Sequence, residues 1–161
     1  MLGIENYNPP FSSSTTDIIS TLGQELKKLV GKKILDVWLV WETNENEWFK
    51  DCPVVLDIEG IQLELCTTKI DELAITFNMI DMSKKLDWYN IDDFQLEWRK
   101  EPLSDLLTII NKKIINVELI EYNFQIVSKR FKTSYNNALK FALAQRGLDK
   151  QPVQMKTDIK V

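Results

Sequence analysis

The sequence predicts an α+β fold: a mainly antiparallel sheet of about six to seven strands with helices packed on one face. Three observations carry this expectation. Period-two apolar alternation recurs in short segments separated by turn residues. Two segments carry apolar residues at helical spacing beside capping signals. One motif occurs twice, 80 residues apart and without a gap: Leu26-Lys27-Lys28-Leu29-Val30-Gly31-Lys32-Lys33-Ile34, then Leu106-Leu107-Thr108-Ile109-Ile110-Asn111-Lys112-Lys113-Ile114. Each copy reads as helix, left-handed stop, basic pair and strand, the strands continuing through Val37 and Leu39 and through Val117 and Leu119. Gly enters positive φ without steric cost and Asn is the next most tolerant residue, so Gly31 and Asn111 are the expected stops.

Taken in order, residues 1–13 read as a flexible N-terminal arm, with Pro9, Pro10, Ser12 and Ser13 breaking any regular element. A first helix opens at Ser14 or Thr15, with Asp17 as a capping-box-like acid, and buries Ile18, Leu22, Leu26, Leu29 and Val30. A strand from about Lys33 to Trp41 follows, with Leu35, Val37, Leu39 and Trp41 on one side. After the polar loop Glu42 to Glu47, a hairpin turns at Glu59-Gly60. It sets Ile58 opposite Ile61 and Leu56 opposite Leu63. Leu73, Ile75, Phe77 and Met79 alternate in a further strand. Phe94, Leu96 and Trp98 alternate with Gln95, Glu97 and Arg99 in another, which points to one wet sheet face. A second helix begins near Pro102, turns Leu103, Leu106, Leu107 and Ile110 inward and stops at Asn111. A strand from Ile114 to Glu121 and a short one through Phe124 and Ile126 complete a domain spanning 14–128. Residues 129–150 form a basic segment with a helix at 134–146 that docks on the domain, and 151–161 fray.

Composition removes several mechanisms. The chain has no histidine, so Ser-His-Asp and Cys-His nucleophile pairs, histidine bases and histidine metal ligands are all absent. Cys52 and Cys66 are expected as free thiols. Extending the hairpin register puts Cys52 opposite Thr67 and Pro53 opposite Cys66, with the thiols on opposite faces. No phosphate-binding glycine loop, dinucleotide fingerprint or nucleophile elbow occurs, and no cofactor or metal is implied. The acidic loop resembles a calcium loop only in its alternate oxygens. Its sixth position is Glu47 instead of Gly, and its twelfth is Pro53 instead of Glu. No apolar run approaches the ~20 residues that span a bilayer, and the N-terminus carries no secretory signal. A cytoplasmic protein with no membrane association is the simplest expectation.

Charge is split. Residues 1–127 hold 12 basic against 22 acidic side chains, and residues 128–161 hold 8 basic against 2 acidic. The basic groups Lys129, Arg130, Lys132, Lys140 and Arg146 suggest phosphate contacts. The acidic body repels nucleic acid and offers an intramolecular partner instead, so docking of the tail on the body is favoured. Asp57, Glu59 and Glu64 flank the hairpin on what reads as its wet face, without the spacing that would select a glycosidase or a two-metal nuclease. Trp41 and Trp98 read as core. Trp38, Trp48 and Trp88 lie beside polar segments, where aromatics serve as interface anchors.

The favoured reading is a non-enzymatic module. It binds a protein partner, a basic one in the simplest case, through an acidic surface formed by Glu42, Glu45 and Glu47 and rimmed by Trp38, Trp48 and Trp88. A carboxylate-based hydrolase and a nucleic-acid binder using the basic tail are the alternatives.

Overall fold

A computed structural model describes residues 2–68, 72–89, 91, 95–100 and 103–120, and the backbone of 124–125 and 134–135. The expected helix at 134–146 and the frayed tail at 151–161 lie outside these, apart from Ser134–Tyr135, which pairs antiparallel with Phe124–Gln125.

The described residues form an α+β architecture, with one α-helix and a six-stranded antiparallel sheet among them. Helix α1 spans Thr15–Lys27. Ser14 caps it, accepting a hydrogen bond from the Asp17 N–H at 3.1 Å. The sheet comprises β1 (Ile34–Glu42), β2 (Glu47–Trp48), β3 (Val54–Ile58), β4 (Ile61–Thr68), β5 (Glu72–Phe77) and β6 (Leu96–Lys100). β1 is the hub. Trp38 pairs with Val55 of β3 and with Lys100 of β6, so these strands take opposite edges of β1, and β2 extends the β3 edge. β4 and β5 then complete the sheet beyond β3.

The β3–β4 register is the one the sequence predicts, Ile58 facing Ile61 and Leu56 facing Leu63. The two-residue turn has φ of 50° at Glu59 and 83° at Gly60, the double positive φ that matches the right-handed twist of a hairpin.

Both faces of the sheet are covered, where one wet face was expected. On the first face, Ile18 and Leu26 from α1 and Leu29 from the turn after it meet Val37, Leu56, Ile58, Leu63 and Ile75, joined by Ile114 and by half-buried Leu106, Ile109, Val117 and Leu119. On the second, Val40, Val55, Cys66 and Ala74 are covered by Leu2, Ile4 and Tyr7 and by Ile80 and Leu86. The N-terminal residues expected to form a flexible arm are thus packed against the sheet. Ser12 exchanges backbone hydrogen bonds with Leu73 at 2.9 and 3.0 Å. The Tyr7 ring is fully buried, and its hydroxyl lies 3.1 Å from Thr76 Oγ1. Burial raises the Tyr7 pKa above the ordinary phenol range.

Two further expectations are corrected. A register shift between Ile34 and Asp36 turns Leu35 out to solvent and gives its core place to Ile34. The second predicted helix is a 3-10 helix of five residues, Ser104–Thr108. The eight residues between Pro102 and Asn111 are too few for a stable α-helix and end in β-branched Thr108, Ile109 and Ile110. Three residues per turn put half-buried Leu103, Leu106 and Ile109 on one side, and Leu107 is exposed.

Gly31 and Asn111 both have positive φ, 87° and 61°. The segments they begin lie against each other. Gly31 N–H donates to Ile114 C=O at 2.8 Å and Asn111 N–H to Ile34 C=O at 2.7 Å. Ile114 N–H donates to Lys32 C=O at 2.8 Å and Ile34 N–H to Lys112 C=O at 3.1 Å. Exchanging the two motif copies by their 80-residue offset maps this set of bonds onto itself, so the contact has local two-fold character about the Lys33–Lys113 bridge.

Candidate functional site

The residues singled out from the sequence divide between two places. Glu42, Glu45, Glu47 and Trp48 sit on the β1–β2 hairpin, where Glu42 faces Glu47 and Trp41 faces Trp48. Facing residues share a side of a sheet and neighbours alternate, so Trp48 lies with Trp41 on one face and Trp38 on the other. Trp38 and Trp88 both pack against the second-face core. Phe49 links the two places, following Trp48 in the chain and meeting Trp88 edge-on at a centroid distance of 4.8 Å.

Glu42 does not project as a contact group. It is buried, and its carboxylate accepts from the N–H of Glu45 at 2.5 Å and from the N–H of Gln95 at 3.3 Å. These bonds, the Glu45 N–H first, hold its carboxyl below the usual glutamate range. It therefore fastens the loop between β1 and β2 to the start of β6. Glu45 and Glu47 are exposed.

Asn46 is the second fastener. Its φ of 54° turns the chain, and its Oδ1 accepts from Trp41 Nε1 at 3.1 Å and from Arg99 Nη1 at 3.0 Å. Nothing in the linear sequence marks this role, because Arg99 arrives from β6.

Each tryptophan along this edge has a cation near its face. Arg99 lies 5.0 Å from the Trp41 ring, Lys100 5.9 Å from Trp38 and Lys50 6.0 Å from Trp48. Lys100 also pairs with Asp36. The expected acidic rim is thus interleaved with Lys and Arg. Trp48, Trp38 and Trp88 are half-buried, as is Trp98, which was read as core, whereas Trp41 is buried. The indole N–H groups of Trp48 and Trp98 are buried without an acceptor among the described residues.

The carboxylates of the β3–β4 hairpin behave differently from their expected wet-face role. Glu64 is 0 % exposed. Its Oε1 accepts from Gln62 Nε2 at 2.7 Å, Met79 N–H at 2.8 Å and Ile80 N–H at 3.3 Å. Gln62 also donates to Ile80 C=O at 2.8 Å, so this pair pins the chain where it leaves β5 and folds over the second face. Asp57 accepts from the Gly60 N–H at 2.9 Å and stabilises the turn.

Both cysteines are free, buried thiols of the second-face core. They share that face, contrary to the extrapolated register, because Cys52 precedes β3 and the ladder does not extend to it. Burial pushes the Cys52 thiol up to about 12 and the Cys66 thiol up to about 11.

An open depression of about 600 Å³ is lined by Gly3, Ile4, Glu5, Lys84, Lys85, Asp87 and Tyr89. Lys84 lies 3.7 Å from Glu5, both side chains being more than half exposed, so this pair holds the depression only weakly. Among the described residues, no group of three cysteines and carboxylates is placed to hold a metal ion, and no helix is long and apolar enough to cross a membrane.

Comparison with protein-family models, with curated proteins and with solved structures finds no match to this chain.

Proposed function

We propose that the protein is a non-enzymatic interaction module that binds a protein partner of basic character through the β1–β2 hairpin. Trp48 carries this reading. It is a large, half-exposed ring on a two-residue strand, next to exposed Glu47 and close to exposed Glu45. The hairpin is fastened from beneath by Glu42 and Asn46, so its outer groups are held in place before binding and lose little freedom on contact. In such a contact the indole supplies buried apolar area, and Glu45 and Glu47 raise the encounter rate with a basic surface. Trp88 extends the surface through Phe49. Trp38, held under Lys100 on the opposite face of β1, lies outside this surface.

The test is affinity capture from native extract with the immobilised full chain, run in parallel with Trp48→Ala and with Glu45→Lys/Glu47→Lys. A partner retained by the unmodified chain and lost from both variants supports the proposal. Equal capture by all three, with folding verified by circular dichroism, rejects it.

A further inference from the structure

We infer that the junction of the two motif copies is a second docking site, opposite in charge to the hairpin, that takes an acidic polypeptide segment. It lies at the other end of β1, where Lys33 bridges Lys113 directly and Lys32 and Lys112 adjoin them. Like charges facing each other across a ladder oppose pairing. The fold nonetheless brings both basic pairs of the repeated motif to one point. Among the described residues none of the four lysines makes an ion pair, although Lys28, Lys84 and Lys100 each do. Glu59, which follows the Ile58 partner of Ile34, is the carboxylate next in register and lies within ion-pair distance of none of them.

The surroundings select the occupant. Ile34 and Ile114 are buried, whereas Lys33 and Leu35 beside the one and Lys113 and Ile115 beside the other are exposed. Leu35 is 37 % exposed and Ile115 62 %. A site that combines cations with open apolar side chains suits a segment bearing both carboxylates and apolar groups. The chain's own residues 121–161 do not match, since they hold 8 basic side chains against 3 acidic. An extended polyanion or a flat anionic surface would also face the acidic remainder of the body. A short peptide reaches the patch alone.

The experiment is a titration of the isotope-labelled full chain, read by amide resonances, with a short peptide in which Glu alternates with Leu. Saturable shifts confined to 31–35 and 111–115 are expected. Affinity should fall about tenfold or more in Lys33→Glu/Lys113→Glu and stay unchanged in the control Lys84→Glu/Lys85→Glu, and it should weaken with added salt. Lys33→Glu alone gives a folded check, because it replaces repulsion from Lys113 by attraction and should raise the unfolding midpoint. Absence of peptide binding, or equal loss in the control, overturns the proposal. So does preferential binding of an oligonucleotide or of phosphatidylglycerol vesicles at these residues, or self-association of the chain through them.

Discussion

Gly31 and Asn111 hold equivalent places in the local two-fold contact between the motif copies. Each has positive φ, and each donates its N–H to the carbonyl of the isoleucine three residues past the other, Ile114 and Ile34. The contact that joins α1 and β1 to the segment after the 3-10 helix thus rests on two left-handed residues. A Cβ on Gly31 would meet nothing within 4 Å, so the cost of adding one is conformational alone. Gly31→Ala should destabilise by about 1 kcal/mol in urea unfolding. Asn111→Ala should act in the same direction by less, since Asn already carries a Cβ, and Asn111→Gly should be tolerated. A neutral Gly31→Ala would contradict this account.

Glu64 is the polar group on which the second face depends most. Removing its side chain leaves one of the two Gln62 Nε2 hydrogens, and the N–H groups of Met79 and Ile80, without their acceptor, while Gln62 keeps its bond to Ile80 C=O. Glu64→Ala should cost about 2–4 kcal/mol, the sum of a cavity and buried donors left unpaired. Glu64→Gln keeps a carbonyl acceptor at the Oε1 position and should cost less. Trp88 lies on the chain this clamp directs over the second face, so Glu64→Ala should also shift the tryptophan emission.

The buried thiols link stability to alkaline pH. Their folded pKa values, about 12 for Cys52 and about 11 for Cys66, lie above the ordinary thiol value of about 8.5. The folded chain therefore holds protons that the unfolded chain releases, and stability falls as pH rises. The contribution is complete below about pH 8.5 and is lost as pH climbs toward the folded values. Tyr7 acts in the same direction at higher pH. The urea midpoint should be flat near neutrality and decline above about pH 8.5, less steeply in Cys52→Ala/Cys66→Ala. Thiol reagents should find neither cysteine in the native protein and both after unfolding.

What was legible in the sequence follows from what is local. The β3–β4 register was readable because Glu59-Gly60 permits one tight turn and alternation then fixes each pair. The stops at Gly31 and Asn111 were readable because positive φ selects among residue types. The covering of the second face was not, because Gln62, Glu64 and Thr76 alternate as a wet face would. Their burial is offset by side-chain bonds to residues 18, 16 and 69 positions away in the chain. Leu35 was misplaced for a related reason: a bulge changes the alternation without any mark in the linear pattern. At the hairpin, the acidic and aromatic residues were visible but their cations were not, since Arg99 and Lys100 reach β1 from β6.

Glu42 gives the hairpin its own pH dependence. Its carboxylate accepts backbone N–H groups from Glu45 and Gln95, and these bonds keep it ionised below the usual glutamate range. The unfolded chain therefore binds the proton more readily than the folded one. Glu42 thus contributes stability that is present above the unfolded glutamate value, about 4.3, and lost as pH falls through the lower folded value. Protonation weakens the bonds that tie the loop to β6, so the effect is local first. Amide exchange at Glu45 and Gln95 should accelerate, relative to the intrinsic rate, as pH falls below about 4, before the β3–β4 pairing opens. Glu42→Gln should show the faster exchange at neutral pH and remove its acid dependence. The same variant should weaken binding at Trp48 without altering any exposed charge of the hairpin, because it loosens the support beneath Glu45 and leaves Glu45 and Glu47 in place. If Glu42→Gln leaves exchange at Glu45 and Gln95 unchanged, the loop is held by its other bonds, those of Asn46 and of Thr43 to Gln95 C=O, and the acid dependence must originate elsewhere.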